Sequence, residues 1–207
     1  MATVADIIAL AEIQTNESYD DLTWIKFINA ALDDLTPIAK ILKSKANIAL
    51  TLTSGAGTIV LASDADLVKA HEILQVYFTP TAGVKKQLRK LPVHDTYSEG
   101  WVIDSINLNV QNAGAVNGAI AVNYYEKLQP VTALADVPDL PVQYHNLIVL
   151  YVCAKSQQLE EELSDKNDFY NEYSAGKMVF ASDRLRIMEP HKRKLIRQLE
   201  RKQLGLG

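Results

Sequence analysis

Residues 147–154 read Leu-Ile-Val-Leu-Tyr-Val-Cys-Ala and form the longest apolar run in this chain of 207 residues. A helix that lacks a wide polar face is normally packed on several sides, so this run predicts a central helix that begins at Pro141 or Val142. The run is too short to cross a lipid bilayer. We therefore expect a soluble protein whose helical core is built around this segment.

The segments on either side of the central helix have distinct characters. Residues 130–141 contain three prolines, which predicts an extended connector. Residues 165–181 carry aromatic and apolar residues at helical spacing, which predicts a further helix that is broken near Ser164 or Gly176. Residues 190–202 are also compatible with a helix.

The N-terminal segment is predicted to be helical as well. Thr3 is a suitable N-cap with Asp6 three residues later, which favours a first helix over residues 3–14. A second helix is expected after Asp20, and Pro37 is expected to open a third, short helix that ends at Lys43. The apolar stripe of the second helix consists of Leu22, Ile25, Ile28, Leu32 and Leu35.

Between these helical segments the sequence changes to the alternating pattern of β-strands. Short strands are predicted at 48–52, 58–62, 72–79, 101–110 and 119–125, with the first two forming one hairpin and the last two another. The predicted fold class is α+β, in which N- and C-terminal helices form a bundle that carries a small, sandwich-like antiparallel β domain. The expected boundaries are 1–44 for the N-terminal helices, 45–130 for the β domain, 131–183 for the C-terminal helices and 184–207 for a basic arm.

The formal net charge of −4 combines two oppositely charged parts of the chain. Residues 184–207 contain eight basic and two acidic residues and therefore carry +6. The rest of the chain contains 13 basic and 23 acidic residues and carries −10. A basic tail on an acidic body is typical of a contact with nucleic acid or with an acidic protein partner. The simpler alternative is a solvated C-terminal helix without a partner.

Residues that could carry chemistry are few and scattered. Cys153 is the only cysteine, which excludes a disulfide scaffold, and its apolar neighbours indicate a small buried hydrophobe rather than a nucleophile. Residues 54–58 resemble a phosphate-binding loop in composition only, because no lysine or helix follows. The histidines lack metal-ligand spacing, which argues against a zinc site: His71, His94, His145 and His191. We therefore predict a protein without enzymatic activity, metal or cofactor.

Five short segments together resemble a known family of structural proteins. They read FINAA at 27–31, IAVNYY at 120–125, LADVPDLP at 134–141, YHNLI at 144–148 and FYNEY at 169–173. In this order, and over residues 3–175, the chain is similar to the head-to-tail adaptor (connector) proteins of tailed bacteriophages. The proline-rich linker before a helix that starts with a tyrosine–histidine pair is the most distinctive part.

The resemblance implies a non-enzymatic virion protein in the neck, between capsid and tail, that is made in the host cytoplasm and does not enter a membrane. It implies a homo-oligomeric ring, twelve-fold, that sits beneath the portal, extends the channel for the genome and docks tail or neck proteins. DNA would pass through this ring without specific binding. The residues then expected to form a portal-docking arm are Arg184, Arg186, Lys192, Arg193, Lys194, Leu195, Arg197, Leu199, Arg201 and Lys202.

Two alternatives remain open from the sequence. The basic tail could instead contact nucleic acid phosphates, in which case binding would weaken steeply with salt. An enzyme or carbohydrate-binding module could also be built on the β domain, with its site formed by the loops at 53–58 and 112–118. That alternative requires a pocket with converging polar groups.

Overall fold

A computed structural model describes the backbone of residues 2–93, 95, 97–114, 116–160 and 163–203. Side chains are described over the same ranges except 163–164 and 187–203. The described residues fold into two compact units, one formed by residues 1–40 with 128–207 and the other by residues 41–127. The first unit is helical and the second consists of β-strands, which confirms the α+β class. The helices are α1 (Val4–Thr15), α2 (Asp21–Ala39), α3 (His145–Leu159) and α4 (Leu163–Gln203).

Helix α3 is the centre of the helical unit, as its apolar sequence predicts. It packs against α1, α2 and α4. Leu147 and Ile148 on one turn and Val152 and Cys153 on a later turn are all buried. A 3-10 turn at Val142–Tyr144 leads into the helix from the connector. Because α3 has buried side chains around most of its circumference, it holds the other three helices together.

The two N-terminal helices begin at the residues that the sequence indicates. Thr3 and Asp6 form a complete capping box at the start of α1, and the Asp20 side chain accepts a hydrogen bond from the Thr23 backbone at the start of α2. The expected apolar stripe of α2 is wrong at one end, because Leu22 is 69% exposed. Trp24 takes its place and is fully buried.

The predicted helix break at Pro37 is wrong. Helix α2 continues through Pro37 to Ala39 and ends at Lys40, whose backbone is left-handed with a φ of 46°. Burial of Leu35, Thr36 and Ala39 keeps this last turn in place, so tertiary packing outweighs the missing proline N–H. The residues after Lys40, expected to be helical as far as Lys43, belong instead to the first strand.

The β unit is a sandwich of two antiparallel sheets with one shared core. A four-stranded sheet has the order β1-β7-β3-β4, and a three-stranded sheet has the order β2-β6-β5. Phe78 and Val122 from the first sheet and Trp101 and Leu108 from the second contribute to that core. The strands are β1 (Ile41–Leu50), β2 (Gly57–Val60), β3 (Ala70–Pro80), β4 (Lys86–Leu88), β5 (Gly100–Asp104), β6 (Asn107–Gln111) and β7 (Gly118–Glu126).

Both predicted hairpins are wrong, although the turn of the first one exists. Thr53 and Ala56 do pair across a tight turn, but β1 then pairs with β7 and β2 pairs with β6. The expected strand at 101–110 is itself a hairpin of β5 and β6, which turns at Ser105 and Ile106. Ser105 adopts a positive φ of 55°, and Ile106 is 59% exposed. The alternation of apolar and polar residues continues across this turn, so the sequence pattern does not show that the chain reverses its direction there.

Candidate docking surface on the C-terminal helix

Helix α4 carries every residue of the predicted arm. It has 41 residues and is therefore about 60 Å long at a rise of ~1.5 Å per residue. Of the two places at which a break was expected, the one near Ser164 lies at the start of α4, which is a separate helix from α3. The break at Gly176 is wrong, because α4 is continuous from Leu163 to Gln203. Among the arm residues, the side chains of Arg184 and Arg186 are described. The others lie in the helical backbone with side chains outside the described part: Lys192, Arg193, Lys194, Leu195, Arg197, Leu199, Arg201 and Lys202.

The first part of α4 is fastened to α2 by a polar cluster around Asp34. Lys177 Nζ lies 2.6 Å from Asp34 Oδ2, and the buried Tyr173 hydroxyl donates a hydrogen bond to the same oxygen. Burial alone would raise the pKa of Asp34, but the hydrogen bonds from Lys177 and Tyr173 outweigh it and hold the pKa below its ordinary value. Asp34 is thus an ionised carboxylate that links the two helices. Sequence reasoning missed it, because Asp33 and Asp34 look alike as a solvated acidic pair.

Asp34→Ala should lower the free energy of unfolding by about 1–3 kcal/mol, because it leaves the buried Tyr173 hydroxyl without an acceptor. Asp33→Ala is the matched control: Asp33 is exposed, so its loss should change stability by less than ~0.5 kcal/mol. Urea denaturation followed by circular dichroism measures both. Equal stabilities of the two variants would contradict the link.

The same link should depend on pH in a defined direction. The folded pKa of Asp34 is below that of an unfolded aspartate, so its stabilisation is fully present above ~pH 4 and is lost as the pH falls through the folded pKa. We expect the stability difference between the wild type and Asp34→Ala to be constant near neutral pH and to shrink below ~pH 4. Denaturation curves at several pH values measure it, and a difference that grows on acidification would contradict this assignment.

Apolar contacts continue the attachment of α4 along its inner face. A Cβ on Gly176 would lie 2.4 Å from Leu147 Cδ2, so glycine permits α3 and α4 to approach closely. Phe180 is fully buried, and its ring lies 4.3 Å from that of Tyr144, centroid to centroid. The Tyr144 hydroxyl donates a 2.7 Å hydrogen bond to Asp183.

Arg184 makes the last described attachment of α4. Its Nη2 donates to the carbonyl of Lys40, at the C-terminal end of α2, at 3.4 Å. Helix α2 has no basic residue in its own last turn and is capped by Lys40, so Arg184 adds a second positive charge at the negative end of its dipole. The next two residues, Leu185 and Arg186, are exposed. Arg184 therefore belongs to the attachment of the helix, and the predicted arm becomes solvent-exposed from Leu185 onwards among the described side chains.

Cys153 occupies the kind of site that its sequence context predicts. The side chain is fully buried in α3, and burial raises the pKa of its thiol to about 12. We expect the thiol to react far more slowly with a disulfide reagent in native protein than after denaturation, because only the thiolate is nucleophilic. A colorimetric thiol assay measures both rates. Similar rates in the two states would contradict the burial of Cys153.

The loops of the β unit that could form a small-molecule site do lie together. The Ala113 N–H donates to the Gly55 carbonyl at 3.1 Å. A cleft of about 450 Å³ borders the first loop, and Asp104 is the single ionisable residue among its described lining. Thr58 and Asn109, two of its polar residues, are hydrogen-bonded to each other at 2.7 Å. The described lining thus lacks the paired ionisable groups that acid–base chemistry requires.

The described residues also bear on metal sites and membrane spans. No cluster of three His, Cys, Asp or Glu side chains in this part of the chain could hold a metal ion. His94 and the side chain of His191 lie outside the described residues. Within the same described part, none of the helices combines the length and apolar character needed to cross a membrane.

A protein-family model matches nearly the whole chain. The model of the SU10 adaptor protein family covers residues 2–193, which include both compact units and most of α4. This match confirms the family resemblance inferred from the segments between residues 3 and 175. No curated protein matches the sequence significantly.

Proposed function

The chain belongs to the SU10 adaptor protein family, and from that premise we propose that this phage adaptor forms a ring between the portal and the tail. The ring extends the channel for the genome, docks tail or neck proteins below, and is attached to the portal above by the arm. We propose twelve subunits, a position in the neck of the virion, and a function that consists of assembly rather than catalysis.

The observation that carries this proposal is the form of α4. Its described attachments to the helical unit run from Tyr173 to Arg184, whereas the helical backbone continues to Gln203. About 19 further residues at ~1.5 Å each extend this helix by nearly 30 Å. Within that extension Arg193, Arg197 and Arg201 recur every four residues, a spacing that repeats on one side of a helix. A long basic helix of this kind is suited to an acidic protein surface.

The charge of the remaining chain supports the proposed channel. Residues 1–183 carry −10, and DNA adheres to proteins mainly through contacts between phosphates and basic side chains. An acidic ring would repel the phosphates and let DNA slide through. The arm and the body therefore have opposite tasks: the body passes DNA and the arm holds a protein.

The test is the mass of the complex that the full-length protein forms with portal rings from the same phage. Mass photometry should show portal rings that gain a fixed, whole-number set of subunits, twelve at saturation. A monomeric protein in the absence of portal would not contradict the proposal, because a ring that assembles on the portal cannot form without it. Portal rings that gain no mass over a range of salt and protein concentrations would contradict the proposal.

The +6 charge of residues 184–207 also favours a second candidate, a module that binds nucleic acid through phosphates. Affinity for duplex DNA would then fall linearly with salt on a log–log scale, with a slope that reports the number of phosphates contacted. Fluorescence anisotropy with a duplex measures it. Tight, salt-dependent DNA binding together with no portal binding would favour this candidate over the adaptor ring.

A further inference from the structure

Helix α1 exposes large apolar side chains on its solvent face, beside the exposed Asp6 and Gln14. Ile13 is 79% exposed and Leu10 is 46% exposed, and the exposed Ala5 and Ala9 lie on the same side. Val4, Ile7, Ile8 and Ala11 are buried on the opposite side. Large apolar side chains exposed side by side mark a surface for contact with another protein, so the outer face of α1 is the kind of surface that another protein covers.

Helix α4 has a second surface of this kind. Between Asn171 and Leu185 its exposed side chains extend along four turns and include a single charged residue, Glu172. Met178 is 74% exposed, Val179 58% and Leu185 48%, with exposed small residues between them. Solvent-facing sides of surface helices normally carry charged residues. We refer to Asn171, Ala175, Met178, Val179, Ser182 and Leu185 as the outer stripe of α4.

The charges beside the two surfaces are complementary. Around the α1 surface, the acidic residues are Asp6, Glu12 and Glu17, and the first basic residue of the chain is Lys26. The outer stripe of α4 is followed directly by the exposed Arg186, which belongs to the basic segment at 184–207. Opposite charges at the edge of an apolar contact select a partner and fix its orientation.

From these observations we infer that the outer stripe of α4 binds the outer face of α1 of a second copy of this chain. The inference rests on the proposed ring, for which it supplies the contact between neighbours. The two surfaces are different parts of the same helical unit, so the contact is head-to-tail and repeats from copy to copy, as a closed ring requires.

The lengths of the two surfaces fix the orientation of the pair. Asp6 and Ile13 are seven residues apart, and Met178 and Arg186 are eight apart, which are both about 11 Å along a helix at ~1.5 Å per residue. When α1 runs antiparallel to α4, Asp6 lies beside Arg186 while Ile13 lies beside Met178. In the parallel orientation the acidic Asp6 would lie over the apolar part of the stripe and Ile13 over the arginine.

Disulfide cross-linking of the full-length protein tests this contact. The double variant Ile13→Cys/Met178→Cys, mixed with portal rings and mildly oxidised, should give a ladder of covalent multimers larger than dimers on non-reducing gels. Each single variant should give no multimer above the dimer, because it has one accessible thiol. The native Cys153 is buried and adds no background.

Ile13→Cys/Leu185→Cys is the matched control for orientation. Leu185 lies on the same stripe as Met178, two helical turns away, and it is also exposed. We expect the ladder to be lost in this control. Equal ladders from both double variants, or a ladder only from the control, would overturn the antiparallel contact.

A second variant separates failure of this inference from failure of the ring. Met178→Asp should leave the monomer folded, because the side chain is already exposed, but it should lower the number of subunits that each portal ring gains. The contact is wrong and the ring stands if three results occur together. These are normal binding of wild-type subunits to portal rings, no ladder from Ile13→Cys/Met178→Cys, and normal binding of Met178→Asp to portal rings. If the wild type does not load the portal, the ring itself is wrong.

Discussion

Leu147→Asp should unfold the helical unit or reduce its stability by more than ~4 kcal/mol, because it places an unpaired carboxylate in a packed core. Leu147 is 5% exposed, and its Cδ2 fills the gap that Gly176 leaves between α3 and α4. A negative charge near the N-terminal end of α3 gains at most ~2 kcal/mol from the helix dipole, so burial decides the outcome. A loss of this size is a large part of the ~5–15 kcal/mol that stabilises a typical domain.

The control for this prediction is Leu159→Asp, at the other end of the same helix. Leu159 is 57% exposed, and a negative charge at a helix C-terminus costs less than ~1 kcal/mol. The helix dipole alone would make Leu147→Asp the milder substitution and Leu159→Asp the more harmful one. Burial predicts the reverse order. Urea denaturation measures both stabilities. A soluble, cooperatively folding Leu147→Asp protein as stable as Leu159→Asp would refute the central position of α3.

The second large effect concerns the arm. Truncation after Glu189 should leave the fold intact and abolish binding to the portal. Phe180 is the last buried residue of α4 among its described side chains, and Arg184 makes the last described attachment. The truncation removes six basic residues and one acidic residue. We expect a stability change within ~0.5 kcal/mol and no gain of mass by portal rings.

A full-length variant in which the six removed basic residues are replaced by glutamine separates charge from length. If charge is what the portal recognises, this variant should bind as poorly as the truncated protein, while its helix remains long enough to reach. If the truncated protein unfolds, residues 190–207 belong to the core of the helical unit. If it binds the portal with unchanged affinity, the arm is not the docking element.

The local features of the fold could be predicted from the sequence because their causes are local. The Thr3–Asp6 capping box lies within four residues, and the run at 147–154 is apolar enough to require burial in any packing. The pairing of the strands could not be predicted in this way. The turn at 53–56 forms, but distant contacts with β6 and β7 assign β2 and β1 to different sheets.

The attachment of α4 was also beyond local reasoning. Asp34 is separated from Tyr173 and Lys177 by about 140 positions in the chain, and no short-range pattern distinguishes it from Asp33. Local reasoning also failed at Pro37. The rule that a proline interrupts a helix predicts an end at this position, but the buried residues around Pro37 keep α2 helical as far as Ala39. By contrast, the basic composition of residues 184–207 can be recognised without any partner in the fold. That these residues dock on the portal stays a prediction, which the family resemblance implies.

The central claim is that the part of the arm beyond Arg184 holds the ring to the portal, and cross-linking mass spectrometry of assembled phage particles tests it most directly. With an amine-reactive cross-linker, we expect Lys192, Lys194 and Lys202 to form cross-links to the portal protein. Lys43 and Lys45 of the β unit are the internal comparison. Cross-links from the three arm lysines to portal peptides are the predicted result. Arm lysines that cross-link to tail proteins and never to the portal would contradict the account.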